Sequence, residues 1–163
     1  MIDVNLLKEI CEVPGAPGFE NAIRKTVLGH IKSLVDEYYI DPMGNLVAIK
    51  KGKDSSKKVA VAAHMDEISF IVSHIDDDGF IKFHTLGGFD PKTLTAQRVI
   101  IHGEKDIIGV MGTKPIHLMT ADERGKAPQT KDYFIDTGLS GEDVKKIVSI
   151  GNPITRERQL IEM

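Results

Sequence analysis

Hydrophobic and polar positions change rhythm near residue 68. Before that point the spacing is helical and then extended. Asp3 is placed to cap a helix, and Leu6, Leu7, Ile10 and Cys11 follow on one stripe. Pro14-Gly-Ala-Pro17-Gly18 breaks that helix. A second helix is predicted from about Glu20 to Val35, with Ile23, Val27, Ile31 and Leu34 as its apolar face. Glu20 sits favourably near its positive end. Tyr38 to Ile40 and Leu46 to Lys50 read as strands around an Asp41–Asn45 turn. Lys51 to Lys58 is polar and reads as a solvated hairpin tip. Val59 to Ala63 is unbroken apolar chain with two β-branched residues. It predicts a strand buried on both faces, as in a parallel sheet.

From Ile68 the chain turns to short strands: Ile68 to Ile75, Phe80 to His84, Gln97 to His102, Ile107 to Met111 and Tyr133 to Thr137. Gly or Asp turns separate most of them, which is the spacing of a small β barrel or sandwich. Ser140-Gly-Glu-Asp143 resembles a capping box with Asp in place of Glu or Gln, and Val144, Ile147 and Val148 supply apolar positions after it. Thr120 to Lys131 reads as a mobile loop. Ile154 to Met163 reads as a strand with nothing following to cover it. Three strands and two helices before residue 68 make a thin core, so the first regime reads as half a domain and the chain as truncated.

Composition narrows the function classes. A net charge of −3 with no basic stripe argues against a general nucleic-acid binder. No apolar run reaches spanning length, so no membrane partner is expected. The first residues lack a basic segment followed by an apolar one, so a cytoplasmic location is expected. The single Cys11 excludes an internal disulfide and a Cys-based zinc site; it reads as a small core residue.

The apolar run at Val59 ends in His64-Met-Asp66-Glu67. Burying these ionisable groups unpaired would be costly, whereas the carboxyl end of a parallel strand is where open α/β sheets bind ligands. There His64 can bind a metal. Asp66, two residues on, can orient its ring or touch the metal's outer shell. The alternative is a strand-end histidine satisfied by backbone. His-x-Asp is short, and it recurs as His74-Ile-Asp76 ahead of an Asp77-Asp78-Gly79 turn, where it reads as surface. His84 and His102 read as strand histidines paired with backbone or water, and His30 as partly exposed.

Several stretches, in order over essentially the whole chain, resemble the N-terminal half of the tetrahedral metallo-aminopeptidases. This family is also known as glutamyl or deblocking aminopeptidases, and some members carry the name endoglucanase. The matching stretches are Pro14-Gly-Ala-Pro-Gly18, Asp41-Pro-Met-Gly-Asn45, Ala63-His-Met-Asp-Glu-Ile68, Leu86-Gly-Gly-Phe-Asp-Pro91, Ala96-Gln-Arg-Val99, Gly109-Val-Met-Gly112 with Pro115-Ile-His-Leu118, and Val148-Ser-Ile-Gly151. The resemblance implies an α/β fold: a partial co-catalytic metallopeptidase sheet domain over 1–68, an inserted small β-barrel dimerisation domain over 69–155, and the start of a return to the first domain over 156–163. It implies His64 as ligand to one of two divalent ions (zinc, cobalt or manganese), with Asp66 orienting the imidazole. It also implies peptide substrates, and self-association through the inserted domain. In the family the bridging Asp, the general-base Glu, the remaining ligands and a second His lie beyond the inserted domain. The 163 residues therefore read as an aminopeptidase by descent that is inactive alone, with a non-catalytic assembly module as the alternative.

Overall fold

Alternation closes the second half of the chain on itself. In the computed structural model, which describes residues 3–54 and 56–161, six strands form a closed barrel. They are β3 (Ser69–Ile75), β4 (Ile81–Leu86), β5 (Arg98–His102), β6 (Asp106–Thr113), β7 (Tyr133–Asp136) and β8 (Pro153–Arg156), in the order β3-β4-β7-β6-β5-β8. The paired neighbours are antiparallel. Closure is made by β8, which pairs with both β3 and β5. The expected unpartnered strand at Ile154 is thus the piece that leaves the barrel without an open edge. The sequence left barrel and sandwich open; the fold is a mixed α/β chain with a barrel.

Inward positions recur every second residue, as strand geometry requires. Val99 and Ile101 on β5, Ile81 and Phe83 on β4, and Tyr133 and Ile135 on β7 are buried. On β3 the phase slips: Phe70 and Val72 are buried, and the next inward residue is Ile75. The pairing with β4 shifts register between Val72 and His74, so a bulge inserts one residue and turns His74 out. Phe70 stacks on Phe89 at 4.3 Å between centroids and meets Phe83 edge-on at 5.1 Å.

A further helix, labelled α4 below (Gly141–Ile147), adds Val144 to this core, with Val148 just beyond its end. Ser140 caps it by accepting from the Asp143 N–H at 3.3 Å. Its close seating needs glycines. A Cβ on Gly141 would lie 2.2 Å from the Asp77 carbonyl oxygen, and one on Gly103 would lie 2.1 Å from that of Ile147. The Glu104 N–H donates to the same Ile147 oxygen at 2.8 Å, and Lys145 pairs with Asp77 at 2.8 Å. Between β6 and β7 the expected loop carries a one-turn helix, α3 (Ala121–Arg124). Thr120 and Glu123 cap each other there, and Lys114 holds Glu123 at 3.0 Å.

The chain divides into two compact units: Met1–Glu67 with Gln159–Met163, and Ile68–Arg158. The first contains α1 (Val4–Glu12), α2 (Asn21–Ile31) and an antiparallel ribbon of β1 (Glu37–Ile40) and β2 (Leu46–Ile49). Asp3 caps α1 as expected, accepting from the Asn5 and Leu6 N–H groups. No described residue of α1 is buried, so Cys11 is exposed rather than part of a core. α2 stops at Ile31, short of Val35, and Leu34 is left exposed.

The predicted buried strand Val59 to Ala63 does not form. Val59 and Val61 are 91% and 95% exposed, and no described strand pairs with the segment. An interior parallel strand draws its stability from a neighbour on each side and cover on each face. The short ribbon supplies neither. For the same reason Lys51 to Lys58 is an exposed segment and not a hairpin tip, with Ser55 outside the described residues.

The β1–β2 turn is ordered by one carboxylate. Asp41 accepts from the Met43 and Asn45 N–H groups and from the Asn45 side-chain amide, all within 2.9 Å. Gly44 takes φ +87°, and its carbonyl accepts from Arg24 Nε of α2 at 2.8 Å.

Two expectations test this packing. Gly103→Ala should destabilise the barrel by about 2 kcal/mol or more, because the clash is with backbone. Gly88→Ala, with open space around its Cβ, should stay within about 0.5 kcal/mol of wild type in urea titrations. The Asn45 amide, and then backbone N–H groups, hold the Asp41 carboxyl below the ordinary carboxylate range. With the folded value depressed, its contribution is fully present above the unfolded value and is lost as pH falls through the folded one. Carboxyl-carbon NMR should find Asp41 titrating below ordinary aspartates, and Asn45→Ala should move it up.

Candidate metal-ligand site

The site is assembled from the Pro14–Gly18 break, α2 and the segment after Ala63. Ile23 on α2 is buried, and so is Ala16 in the break. Gly15 lies between α2 and the later segment. A Cβ there would meet Ile23 Cγ2 at 2.9 Å and the Met65 carbonyl oxygen at 3.3 Å, so glycine sets the closeness of approach. The Gly15 carbonyl accepts from the Glu67 N–H at 2.8 Å. This bond fixes the backbone immediately after Asp66. The break itself is tied down by Glu20, whose carboxylate accepts from the Gly18 N–H at 2.7 Å.

His64 Nδ1 lies 3.0 Å from the Asp66 carbonyl oxygen and 3.1 Å from Asp66 Oδ1. A carbonyl and an ionised carboxylate are acceptors only, so Nδ1 is the ring atom that carries the hydrogen. In the neutral ring the lone pair then resides on Nε2, which has no hydrogen-bond partner among the described residues. The side chain is 84% exposed. This is the arrangement of a metal-binding histidine whose other nitrogen is held by a carboxylate. An imidazole nitrogen suits borderline divalent ions such as zinc and cobalt, and a site that adds carboxylates to it also suits manganese.

The donor set fits one ligand and not a whole centre. Among the described residues no group of three or more His, Cys, Asp or Glu could hold an ion. A catalytic zinc takes three protein ligands and a water. Glu67 is engaged by its own contacts.

The position of His64 has a different physical origin from the one its sequence suggests. It is held from its C-terminal side, through Asp66 and the Glu67–Gly15 bond, and not by a strand before it. Gly15 and Ile23, which sequence reasoning treated as a helix breaker and an apolar-face residue, are the positioning groups. The usable signal was Pro-Gly-Ala-Pro-Gly itself, a run spaced to bring backbone close to something else.

The other histidines serve elsewhere. His30 Nε2 pairs with Glu9 at 2.8 Å across α1 and α2. His102 was expected to pair with backbone or water. It links three barrel strands through side chains, with Nδ1 to Asp106 and Nε2 to Thr155, each at 2.9 Å. Thr155 is buried, which makes this a seam bond of the barrel wall.

Over 146 residues the chain is 40% identical to the lysyl aminopeptidase of Pyrococcus furiosus, covering 88% of this chain and 42% of that one. It superposes on the TET aminopeptidase of a marine sediment thaumarchaeote with a TM-score of 0.89 at 34% identity, covering 94% of this chain and 43% of that one. The TET1 peptidase of Pyrococcus horikoshii, described as assembling into a tetrahedron or a large octahedral shell, superposes with a TM-score of 0.81 at 29% identity, covering 94% and 46%. The chain thus spans less than half the length of these relatives. The pattern of M42 glutamyl aminopeptidases matches residues 44–163, and the chain belongs to that family.

Proposed function

We propose that this chain forms part of a metal-dependent aminopeptidase, to which it contributes His64 as one ligand of a pair of divalent ions and Asp66 as the group that orients it. The observation that carries the proposal is the His64–Asp66 geometry: Nδ1 engaged, Nε2 free, ring exposed. Zinc, cobalt and manganese all suit an imidazole with carboxylates, and their affinity order alone selects none of them. When bound, such a metal pair activates a water and polarises the scissile carbonyl.

The residues of this chain do the positioning. Asp66 accepts the Nδ1 hydrogen and so keeps the lone pair on Nε2. The negative carboxylate also makes the ring a better donor towards a cation. Gly15 holds the segment through Glu67, so the imidazole does not have to be ordered at the moment of binding, a saving in conformational entropy. In this reading the remaining ligands and the general base come from elsewhere in the assembled enzyme; among the described residues no group of three or more His, Cys, Asp or Glu could hold an ion. In this reading residues 1–68 belong to a catalytic α/β domain, 69–155 to an inserted barrel, and 156–163 to the return of the chain. Self-association through the barrel is part of the same proposal, supported by the shells described for the P. horikoshii relative.

A chimera tests the proposal. This chain should replace the corresponding segment of the P. furiosus lysyl aminopeptidase and support chelator-sensitive hydrolysis of aminoacyl anilides. His64→Ala should abolish it. Asp66→Ala should weaken metal affinity by about 10–100-fold, measured by competition with a chromophoric chelator. The 163 residues alone should be inactive. A folded chimera whose hydrolysis survives His64→Ala or chelation would sink the assignment of His64.

A further inference from the structure

One arginine of the barrel is packed in place with no acid to hold it. Ile154 on β8 is fully buried, and Arg156, two residues on, leaves from the same side of the strand at its end. It pairs in register with buried Val99 of β5. Its guanidinium carbon lies 5.9 Å from the centre of the Phe89 ring. That ring is itself fixed by stacking on Phe70 at 4.3 Å. Arg156 is half-buried, and its Nε is buried with no hydrogen-bond partner. A donor that has given up water without gaining an acceptor is costly. Packing on an aromatic face holds the side chain there, and not a bond of its own.

The acids nearest to it in the chain are committed elsewhere. Glu157 gives both oxygens to Arg98. Asp90, beside Phe89, accepts from the Lys92 N–H at 3.0 Å and caps the short helical turn Pro91–Leu94. The other arginines have partners. Arg24 donates to the Gly44 carbonyl and to Asn21, Arg124 donates to the Met119 carbonyl, and Arg158 is engaged. Arg156 keeps its charge with both Nη groups open to solvent, since Nε alone of its nitrogens is buried and unpartnered. In the loop that carries the Phe89 ring, the Gly88 and Phe89 N–H groups donate to nothing among the described residues.

The shape of the free edge selects a ligand class. Two parallel N–H groups of a guanidinium match the two oxygens of a carboxylate, a planar fit that an ammonium cannot make. The Phe89 ring already holds the guanidinium, so little side-chain freedom is left to lose on binding.

We propose that Arg156, with the Gly88–Phe89 loop, forms a carboxylate-binding site at this end of the barrel. The site needs no metal, so it stands or falls independently of the His64 reading. Two sources supply the group: the C-terminus of a peptide and an acidic side chain. The test is proton–nitrogen NMR of the 163-residue chain at constant ionic strength with EDTA present. Acetate, glycylglycine and the α-amide of N-acetylglutamate should each shift the Arg156 Nε–H and Phe89 amide signals along a saturable curve, with Kd of about 1–10 mM. Glycylglycine amide, which has no carboxylate, should not. Tightest binding of glycylglycine assigns the site to a peptide terminus, and tightest binding of the glutamate derivative assigns it to a side chain; either supports the proposal. Arg156→Lys keeps the charge but loses the fork and should weaken binding about tenfold. Arg156→Met keeps an apolar stem over Phe89 and should abolish saturation, whereas Lys145→Met on α4 should change nothing. Dispersed barrel amide signals check that each variant is folded. Shifts that stay linear to about 100 mM, that survive Arg156→Met in a folded barrel, or that inorganic phosphate produces and no carboxylate does, would overturn the site.

Discussion

One backbone hydrogen bond organises the site. The Gly15 carbonyl receives the Glu67 N–H, and the absent side chain of Gly15 lets Met65 and Ile23 close around it. Everything proposed for His64 follows from where that bond leaves Asp66. The ring is exposed and would otherwise sample many rotamers. Its hydrogen bonds to Asp66 restrict that freedom and choose the tautomer. A long-range tether built from a loop thus does what a strand end does in a complete parallel sheet: it presents a lone pair at a fixed place.

The barrel meets a different constraint. Six short strands bury one side chain in two, and β8 removes the edges that an open sheet would leave. Helix α4 is seated so closely that Gly103 and Gly141 have no room for a methyl group.

Much of the fold was legible in the residues. The short apolar runs within Gln97 to His102 and Tyr133 to Thr137, set off by turn residues, announced strands, and β5 and β7 form there. Ser140 marked the start of α4. Three features were not legible, each for a physical reason. The bulge between Val72 and His74 changes phase within a strand, and no residue type there demands it. The closing role of β8 depends on two strands more than fifty residues upstream, which local pattern does not encode. Val59 to Ala63 has the composition of an interior strand, but burial is a property of neighbours; without them the same residues stand in solvent. At the site, the His64–Asp66 pairing was readable from its spacing. The role of Gly15 was not, because a glycine in a turn-rich run has many possible uses.

The central claim is that Asp66 holds the hydrogen of His64 on Nδ1 and leaves Nε2 as the donor to a metal. Long-range proton–nitrogen correlation spectra of the chain, recorded where the ring is neutral, read this directly. The account predicts a protonated-type Nδ1 and an unprotonated-type Nε2 for His64, lost on Asp66→Ala. A ring with its hydrogen on Nε2, or a His64 spectrum indifferent to Asp66, would contradict it.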